Sequence, residues 1–161
     1  MIQRKRLAAA LLSLTMAFAA AYPAVPSFAA AWERNASGSY VAADGSALTG
    51  ITARGIDVSH WKQSINWNAV AADDVQFVML GTKYNNDVDP YFSVNAVNAF
   101  NAGLKVGAYI YSYATTTAAA EAEADFVLNL IKDYPISYPV VLDVESTEMS
   151  ALTPAQLADV I

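Results

Sequence analysis

After residue 54, two patterns of hydrophobic residues alternate along the chain, one typical of strands and one typical of helices. Short runs rich in Val, Ile, Tyr and Phe occupy 55–59, 75–80, 105–111 and 138–145, and such runs are typical of strands. The segments between them repeat apolar residues at helical spacing. This order of strand, helix, strand and helix, with short links, predicts an α/β fold with a parallel sheet built from right-handed βαβ units.

Residues typical of helix ends support this division. Asn66 is a suitable N-cap for a short first helix. Asp89 and Pro90 predict the start of a second helix, with Asp at the cap and Pro at the first helical position, and Gly103 predicts its end. A third helix is predicted to start within 115–117. Its first half contains three acids that we interpret as a solvated face: Glu121, Glu123 and Asp125.

The segment 138–145 carries the main candidate chemistry. Its unbroken apolar run predicts a strand covered on both faces, and the run ends in Asp143 and Glu145. Alternate residues of a strand share a face, so the two acids are predicted to lie side by side at the C-terminal edge of the sheet. Parallel α/β folds bind ligands at that edge, and paired carboxylates perform glycoside hydrolysis. The alternative is a solvated strand end.

Further candidate site residues follow the ends of the other strands. Asp57 lies between two apolar residues and is predicted to point away from them into a polar centre, although a cap or loop ligand is the commoner role. Tyr109, Tyr111 and Trp61 are candidates for stacking on sugar rings. Core packing is the alternative for both tyrosines.

The N-terminus has the pattern of a bacterial-type secretory signal peptide over residues 1–30. Basic residues at 4–6 precede an uncharged apolar stretch at 7–21. That stretch is short for a membrane span, which leaves a signal anchor as the alternative. Residues 31–53 are predicted to be a leader or linker before a domain at 54–161. The protein is therefore expected to be secreted or associated with the cell wall, with no stable membrane span after cleavage.

The composition argues against several classes of function. The formal net charge is −6, and signal cleavage would remove three basic residues and no acid, which argues against nucleic acid as a partner. The chain has no cysteine, so an apolar core and not disulfides must hold the fold. With His60 as its single histidine, the sequence does not provide the common zinc sites, and we expect no metal or cofactor. We interpret His60 as a supporting or loop residue.

The end of the sequence predicts a helix start with no strand after it. Thr153, Pro154 and Gln156 suit an N-cap, a first helical position and a capping-box partner. A βα unit normally continues into another strand, so the expectation is a domain truncated after its fourth strand.

Five short motifs occur in one order over nearly all of residues 54–145. They are Gly55-Ile56-Asp57-Val58-Ser59-His60-Trp61, Ile65-Asn66-Trp67, Asp89-Pro90-Tyr91-Phe92, Ala102-Gly103-Leu104-Lys105-Val106-Gly107-Ala108-Tyr109 and Asp143-Val144-Glu145. In this order they resemble the secreted lysozymes of glycoside hydrolase family 25, the Chalaropsis-type N-acetylmuramidases.

The resemblance implies a modified, TIM-like (β/α) barrel, of which this chain would hold the N-terminal half. It also implies cleavage of the β-1,4 bond between N-acetylmuramic acid and N-acetylglucosamine in bacterial peptidoglycan, the expected partner. Glu145 matches the family's general acid, Asp143 its acidic partner and Asp57 the acid of the first strand. The family's acid on the last strand has no counterpart in this sequence. Residues 83–86 stand where the family often has Glu and Gly.

Two neighbouring acids suit this chemistry. A general acid must stay protonated near neutral pH, and a nearby negative charge favours the protonated form. The spacing of Asp143 and Glu145 does not distinguish a retaining from an inverting reaction. The family expectation is a substrate-assisted reaction, in which Glu145 protonates the leaving oxygen and Asp143 orients the substrate's N-acetyl group.

Two rival hypotheses remain open. A chitinase-like barrel would need acids at positions 138 and 141, where this chain has Tyr138 and Val141. The other rival is a truncated, non-catalytic remnant or a fragment that binds cell-wall glycan. Four strands cannot close a barrel, so the exposed edge of the last strand predicts poor folding, self-association or inactivity.

Overall fold

A computed structural model describes residues 32–161, and the predicted signal peptide lies outside these residues. The chain divides into two compact units, one ending at Leu48 and the other spanning Thr49–Ile161. In the first unit, β1 (Trp32–Arg34) pairs antiparallel with β2 (Tyr40–Ala42). The guanidinium of Arg34 donates a hydrogen bond of 2.7 Å to the Tyr40 hydroxyl. The sequence pattern did not predict this hairpin.

The second unit alternates strands and helices as predicted. In chain order its elements are β3 (Gly55–Val58), a 3₁₀ turn (His60–Lys62), α1 (Trp67–Ala72), β4 (Phe77–Gly81), β5 (Lys83–Tyr84), β6 (Asp87–Val88), α2 (Phe92–Asn101), β7 (Lys105–Tyr111), α3 (Thr117–Ile131), β8 (Ile136–Asp143), α4 (Thr147–Ser150) and α5 (Pro154–Val160). Four strands form one parallel sheet in the order β3-β4-β7-β8, and β5 and β6 form a small antiparallel hairpin. The predicted α/β class is confirmed, whereas the TIM-like barrel and its truncation stay predictions.

Most helix starts follow the expected capping chemistry. The side chain of Asn66 accepts a hydrogen bond from the Ala69 amide at the start of α1. Thr116 caps α3 in the same way. Thr153 and Gln156 form the predicted capping box of α5. These caps satisfy backbone amides that would otherwise lack partners at the helix start.

The predicted start of α2 was wrong. The helix begins at Phe92, its N-cap is Tyr91, and Asp89 does not cap it. Asp89 is instead buried and accepts a 2.7 Å hydrogen bond from the backbone amide of His60, as well as one from Tyr91. Asp89 thus combines a short-range hydrogen bond just before the helix with a long-range one to the segment after β3, and only the second could not be predicted from sequence alone.

The two faces of the sheet have different roles. One face packs against the helices through fully buried side chains such as Val78, Leu80 and Val106. Residues at alternate positions point to the other face. There Gly107 provides space for Met79, because a Cβ atom at position 107 would lie 2.5 Å from the Met79 sulfur and 2.9 Å from the Pro139 carbonyl oxygen. The carboxyl groups of Asp57 and Asp143 lie towards the C-terminal end of this second face.

The last strand differs from the prediction of a strand buried on both faces. Val140 and Val141 of β8 are 44% and 42% exposed, because β8 pairs only with β7 among the residues described. The pairing shifts register between Val106 and Ala108. Pro139 lies in this irregular stretch, and a proline without an amide proton is typical of edge strands and bulges. After the shift, Asp143 lies opposite Tyr111.

The last two helices pack against the start of α3. Met149 and Val160 are buried with Ala114 in a small second core. The Thr117 hydroxyl donates a 2.9 Å hydrogen bond to the carbonyl oxygen of Asp159. In the described part of the chain, no helix reaches the length and hydrophobicity that membrane crossing requires.

Candidate active site

A cavity of about 890 Å³ opens at the C-terminal ends of the parallel strands. This is the edge at which parallel α/β folds bind ligands, because loops from successive strands converge there. All six residues predicted for the site line the cavity: Asp57, Trp61, Tyr109, Tyr111, Asp143 and Glu145. The structure thus brings these residues together, while their chemical roles remain predictions.

Three carboxyl groups reach the cavity from the two outer strands of the sheet. Asp57 is on β3, and its side chain points away from the core side on which Val58 packs, as the alternation predicted. Asp143 is the last residue of β8, and Glu145 follows two positions later. The central strands β4 and β7 lie between these acids, so a ligand in the cavity would have carboxyl groups on both sides.

Tyr109 lies between the acids and lines the cavity. Partial burial raises the pKa of the Tyr109 hydroxyl, and the negative charges of Asp57 and Asp143 raise it further, while a hydrogen bond with Ser59 lowers it. Gly81 leaves room beside it, because a Cβ atom at this position would lie 3.0 Å from the Ser59 Cβ atom and 3.1 Å from the tyrosine oxygen. Tyr109 is therefore a protonated hydrogen-bond donor near the two acids, and its raised pKa preserves this state at alkaline pH.

Tyr111 and Tyr113 form a second aromatic pair, with ring centroids 5.1 Å apart. Burial raises the pKa of the Tyr111 hydroxyl, and the charge of Glu145, which lines the same cavity, raises it further. Tyr113 also lines the cavity and is 52% exposed. Sequence reasoning missed Tyr113, although it continues the alternation of 109 and 111 beyond the end of β7.

The opposite wall is formed by Trp61, Tyr84 and His60. The His60 ring lies 4.5 Å from the Trp61 ring and 3.8 Å from the Tyr84 ring, centroid to centroid. Trp61 is 77% exposed, so its ring is available to a ligand. The Nδ1 atom of His60 lies 3.3 Å from a carboxylate oxygen of Asp89. His60 packs against both rings and lines the cavity itself, so its supporting role stays a prediction. Tyr84 was not predicted as a site residue from the sequence.

The interpretation of Glu123 as part of a solvated face was wrong. Glu123 is only 9% exposed, whereas Glu121 and Asp125 on either side of it are exposed as expected. Its carboxylate accepts hydrogen bonds from the Ser112 hydroxyl at 2.6 Å and from the Tyr113 amide at 3.1 Å. Position 123 lies on the face of α3 that is directed towards the end of β7. The charge of the side chain alone does not predict which face of the helix it occupies.

The arrangement suits a neutral, hydroxyl-rich ligand. Carboxyl groups can donate, accept or transfer protons, and exposed aromatic rings can stack on the apolar faces of sugars. Within residues 32–161, no group of three or more His, Cys, Asp or Glu side chains is arranged to hold a metal ion.

Carboxyl groups and aromatic walls at the C-terminal edge of a parallel sheet are features of the glycoside hydrolase class. Residues 56–159 match the family described as Glycosyl hydrolases family 25. The chain belongs to this family.

Similar proteins agree with this assignment. Lysozyme M1 of Streptomyces globisporus is 35% identical over 103 residues, which cover 62% of this chain and 35% of that protein. The bacterial lysozyme of Streptomyces coelicolor has a similar structure, with a TM-score of 0.53 and 30% identity over 68% of this chain and 54% of that one. A family 25 glycosyl hydrolase of Bacillus anthracis shares the fold, with a TM-score of 0.59, 22% identity and coverage of 70% and 52%. The chain thus spans about a third of the curated relative and about half of these two solved structures.

Proposed function

We propose that this protein is a lysozyme, a glycoside hydrolase that cleaves bacterial peptidoglycan. The observation that carries the proposal is the placement of Asp57, Asp143 and Glu145 around one cavity with aromatic walls. Membership of family 25 and the similarity to two Streptomyces lysozymes support it. The autolysin LytC of Streptococcus pneumoniae, which shares the fold with a TM-score of 0.62, has been solved with a synthetic peptidoglycan ligand.

The proposed reaction is hydrolysis of the β-1,4 bond between N-acetylmuramic acid and N-acetylglucosamine. Glu145 is proposed to protonate the leaving oxygen, and Asp143 to orient the N-acetyl group of the substrate as it attacks the anomeric carbon. Asp57 completes the acidic site from β3. Tyr109, between Asp57 and Asp143, is suited to donate a hydrogen bond to the sugar or to an acid, because its hydroxyl stays protonated.

We further propose that residues 1–30 are a signal peptide, 31–53 a leader or linker, and 54–161 a partial catalytic domain. Export would place an acid-lined cavity outside the membrane, where the cell wall is found. The protein is accordingly proposed to be secreted or associated with the wall. A mature N-terminus near residue 30, determined on protein from the culture medium, is the expected result.

The decisive experiment compares Glu145→Gln with the unmodified protein in clearing a suspension of bacterial cell walls. Loss of the general acid is expected to lower the rate about 10²–10⁴-fold, because Gln cannot protonate the leaving oxygen. Glu121→Gln, which removes an exposed acid outside the cavity, is the matched control and should clear walls at the normal rate.

The products separate this proposal from its rivals. New reducing ends at N-acetylmuramic acid, with retained anomeric configuration, are expected, and an inverted product would contradict the substrate-assisted mechanism. A protein that binds cell-wall glycan but clears no walls, with or without Glu145, would instead support the non-catalytic remnant.

A further inference from the structure

We propose that Glu123 is a positioning residue for the sugar-binding wall formed by Tyr111 and Tyr113. The proposal rests on the proposed function, since it assigns these two rings to glycan binding. Glu123 is on α3, outside the cavity, and touches no substrate position itself. It acts through the segment that follows β7 and carries Tyr113.

The contacts of Glu123 converge on that segment. One carboxylate oxygen accepts a 2.6 Å hydrogen bond from the Ser112 hydroxyl, and the other accepts a 3.1 Å hydrogen bond from the Tyr113 amide. The Ser112 oxygen in turn accepts a hydrogen bond from the Ala114 amide at 3.2 Å. Three consecutive residues after β7 are thus fixed, directly or through Ser112, by one carboxylate.

Burial makes these hydrogen bonds important. Ser112 is fully buried and Glu123 is 9% exposed, so water cannot readily replace either partner. A buried carboxylate needs hydrogen bonds or an opposite charge, and the ammonium of Lys83 lies 3.9 Å from the oxygen that binds the Tyr113 amide. Lys83 belongs to β5, on the loop side of the neighbouring strand, and also lines the cavity. Glu123 therefore binds the segment after β7 through hydrogen bonds and contacts the β5 segment through an ion pair.

The held segment determines where the aromatic wall lies. Tyr113 is 52% exposed, and the Tyr111 ring, 5.1 Å away, is its aromatic neighbour. Tyr111 and Glu145 line the same cavity, and the charge of this acid contributes to the raised pKa of Tyr111. Movement of the Tyr113 backbone would displace the wall relative to the proposed general acid, although no reacting group would be lost.

The first test measures backbone amide exchange by NMR in Glu123→Gln and in the control Glu121→Gln. Gln keeps the size of the side chain but has one acceptor oxygen in place of two. Exchange of the Tyr113 amide is expected to rise about tenfold, equivalent to about 1.4 kcal/mol, while the Val106 amide in the sheet centre is unaffected. Equal acceleration at both amides, or none at Tyr113, would overturn the proposal. Glu121→Gln should leave both amides unchanged.

The second test measures KM and kcat on short, uncrosslinked peptidoglycan fragments. Displacement of a binding wall should raise KM in Glu123→Gln several-fold with a smaller change in kcat, whereas Glu145→Gln should lower kcat. An unchanged KM in an active Glu123→Gln protein would refute the positioning role. Absence of activity in the unmodified protein would refute the proposed function, and the exchange measurement would still show whether Glu123 holds the Tyr113 segment.

Discussion

At the scale of single residues, the cavity shows how burial and charge determine a side chain's chemistry. Tyr109 has a hydrogen bond with Ser59 that favours its ionised form, yet partial burial and the charges of Asp57 and Asp143 outweigh it and raise the pKa. The same tyrosine at an exposed position would lack both effects. The site therefore extends the pH range over which the Tyr109 hydroxyl stays protonated further into the alkaline region than for an exposed tyrosine.

The raised pKa of Tyr109 predicts a specific loss of stability at alkaline pH. Its neutral form is favoured in the folded state, so its contribution to stability is complete below the unfolded pKa, about 10, and is lost as pH rises through the folded pKa. Urea unfolding between pH 9 and 11 should show a steeper loss in the unmodified protein than in Tyr109→Phe. Tyr84→Phe, at a 41% exposed tyrosine, is the control and should keep the steep loss.

Single residues also show what the sequence could and could not predict. Alternation correctly predicted that Asp57 points away from the core, because strand geometry alone fixes that direction. It could not predict the burial of Glu123, which depends on Ser112 and Tyr113 approaching α3 from the end of β7. Charged residues are rarely buried without partners, so the partners had to be known first.

At the scale of secondary-structure elements, local signals succeeded where a contact spans a few residues. The capping box of α5 was predicted because both of its partners lie within one helical turn. The role of Asp89 was missed because its partner, the His60 amide, is 29 residues away. Asp89 joins the segment after β3 to the segment before α2, and this connection holds the Trp61 side of the cavity.

We expect Asp89→Ala to destabilise the protein by about 2–4 kcal/mol. The change leaves the partly buried amides of His60 and Tyr91 without their acceptor and removes the charge beside the His60 ring. Chemical denaturation monitored by tryptophan fluorescence provides the measurement. Asp89→Asn retains one acceptor oxygen and should lose less. Asp87→Ala, two residues away and exposed, should change stability by about 0.5 kcal/mol or less, and an equal loss there would contradict the explanation.

At the scale of the whole second unit, β8 is one of the two edges of the sheet. The apolar composition of β8 predicted a strand covered on both faces. Composition does not specify, however, which other strands or helices pack against it. Val140 and Val141 are both more than 40% exposed beside backbone groups that pair with no other strand in residues 32–161. Long apolar edges of this kind pair readily with other chains.

This edge predicts concentration-dependent self-association. Sedimentation velocity over a range of protein concentrations should show oligomers that Val140→Lys reduces, because an edge lysine opposes strand pairing. Leu128→Lys, at a 59% exposed position of α3, removes a similar apolar side chain away from the edge and should have little effect. A protein that stays monomeric at every concentration would contradict the prediction.

The sheet order β3-β4-β7-β8 also has a consequence for how the chain folds. Within this sheet, each strand after β3 pairs with the sheet strand that comes before it in the sequence. The helix between the two strands packs on the core side. Such contacts close short loops, and the free-energy cost of loop closure grows with loop length. Each strand can therefore be added to the sheet at the cost of one short loop, and the cavity holds Asp143 and Glu145 together with Asp57 only once the third βαβ unit, β7-α3-β8, is complete.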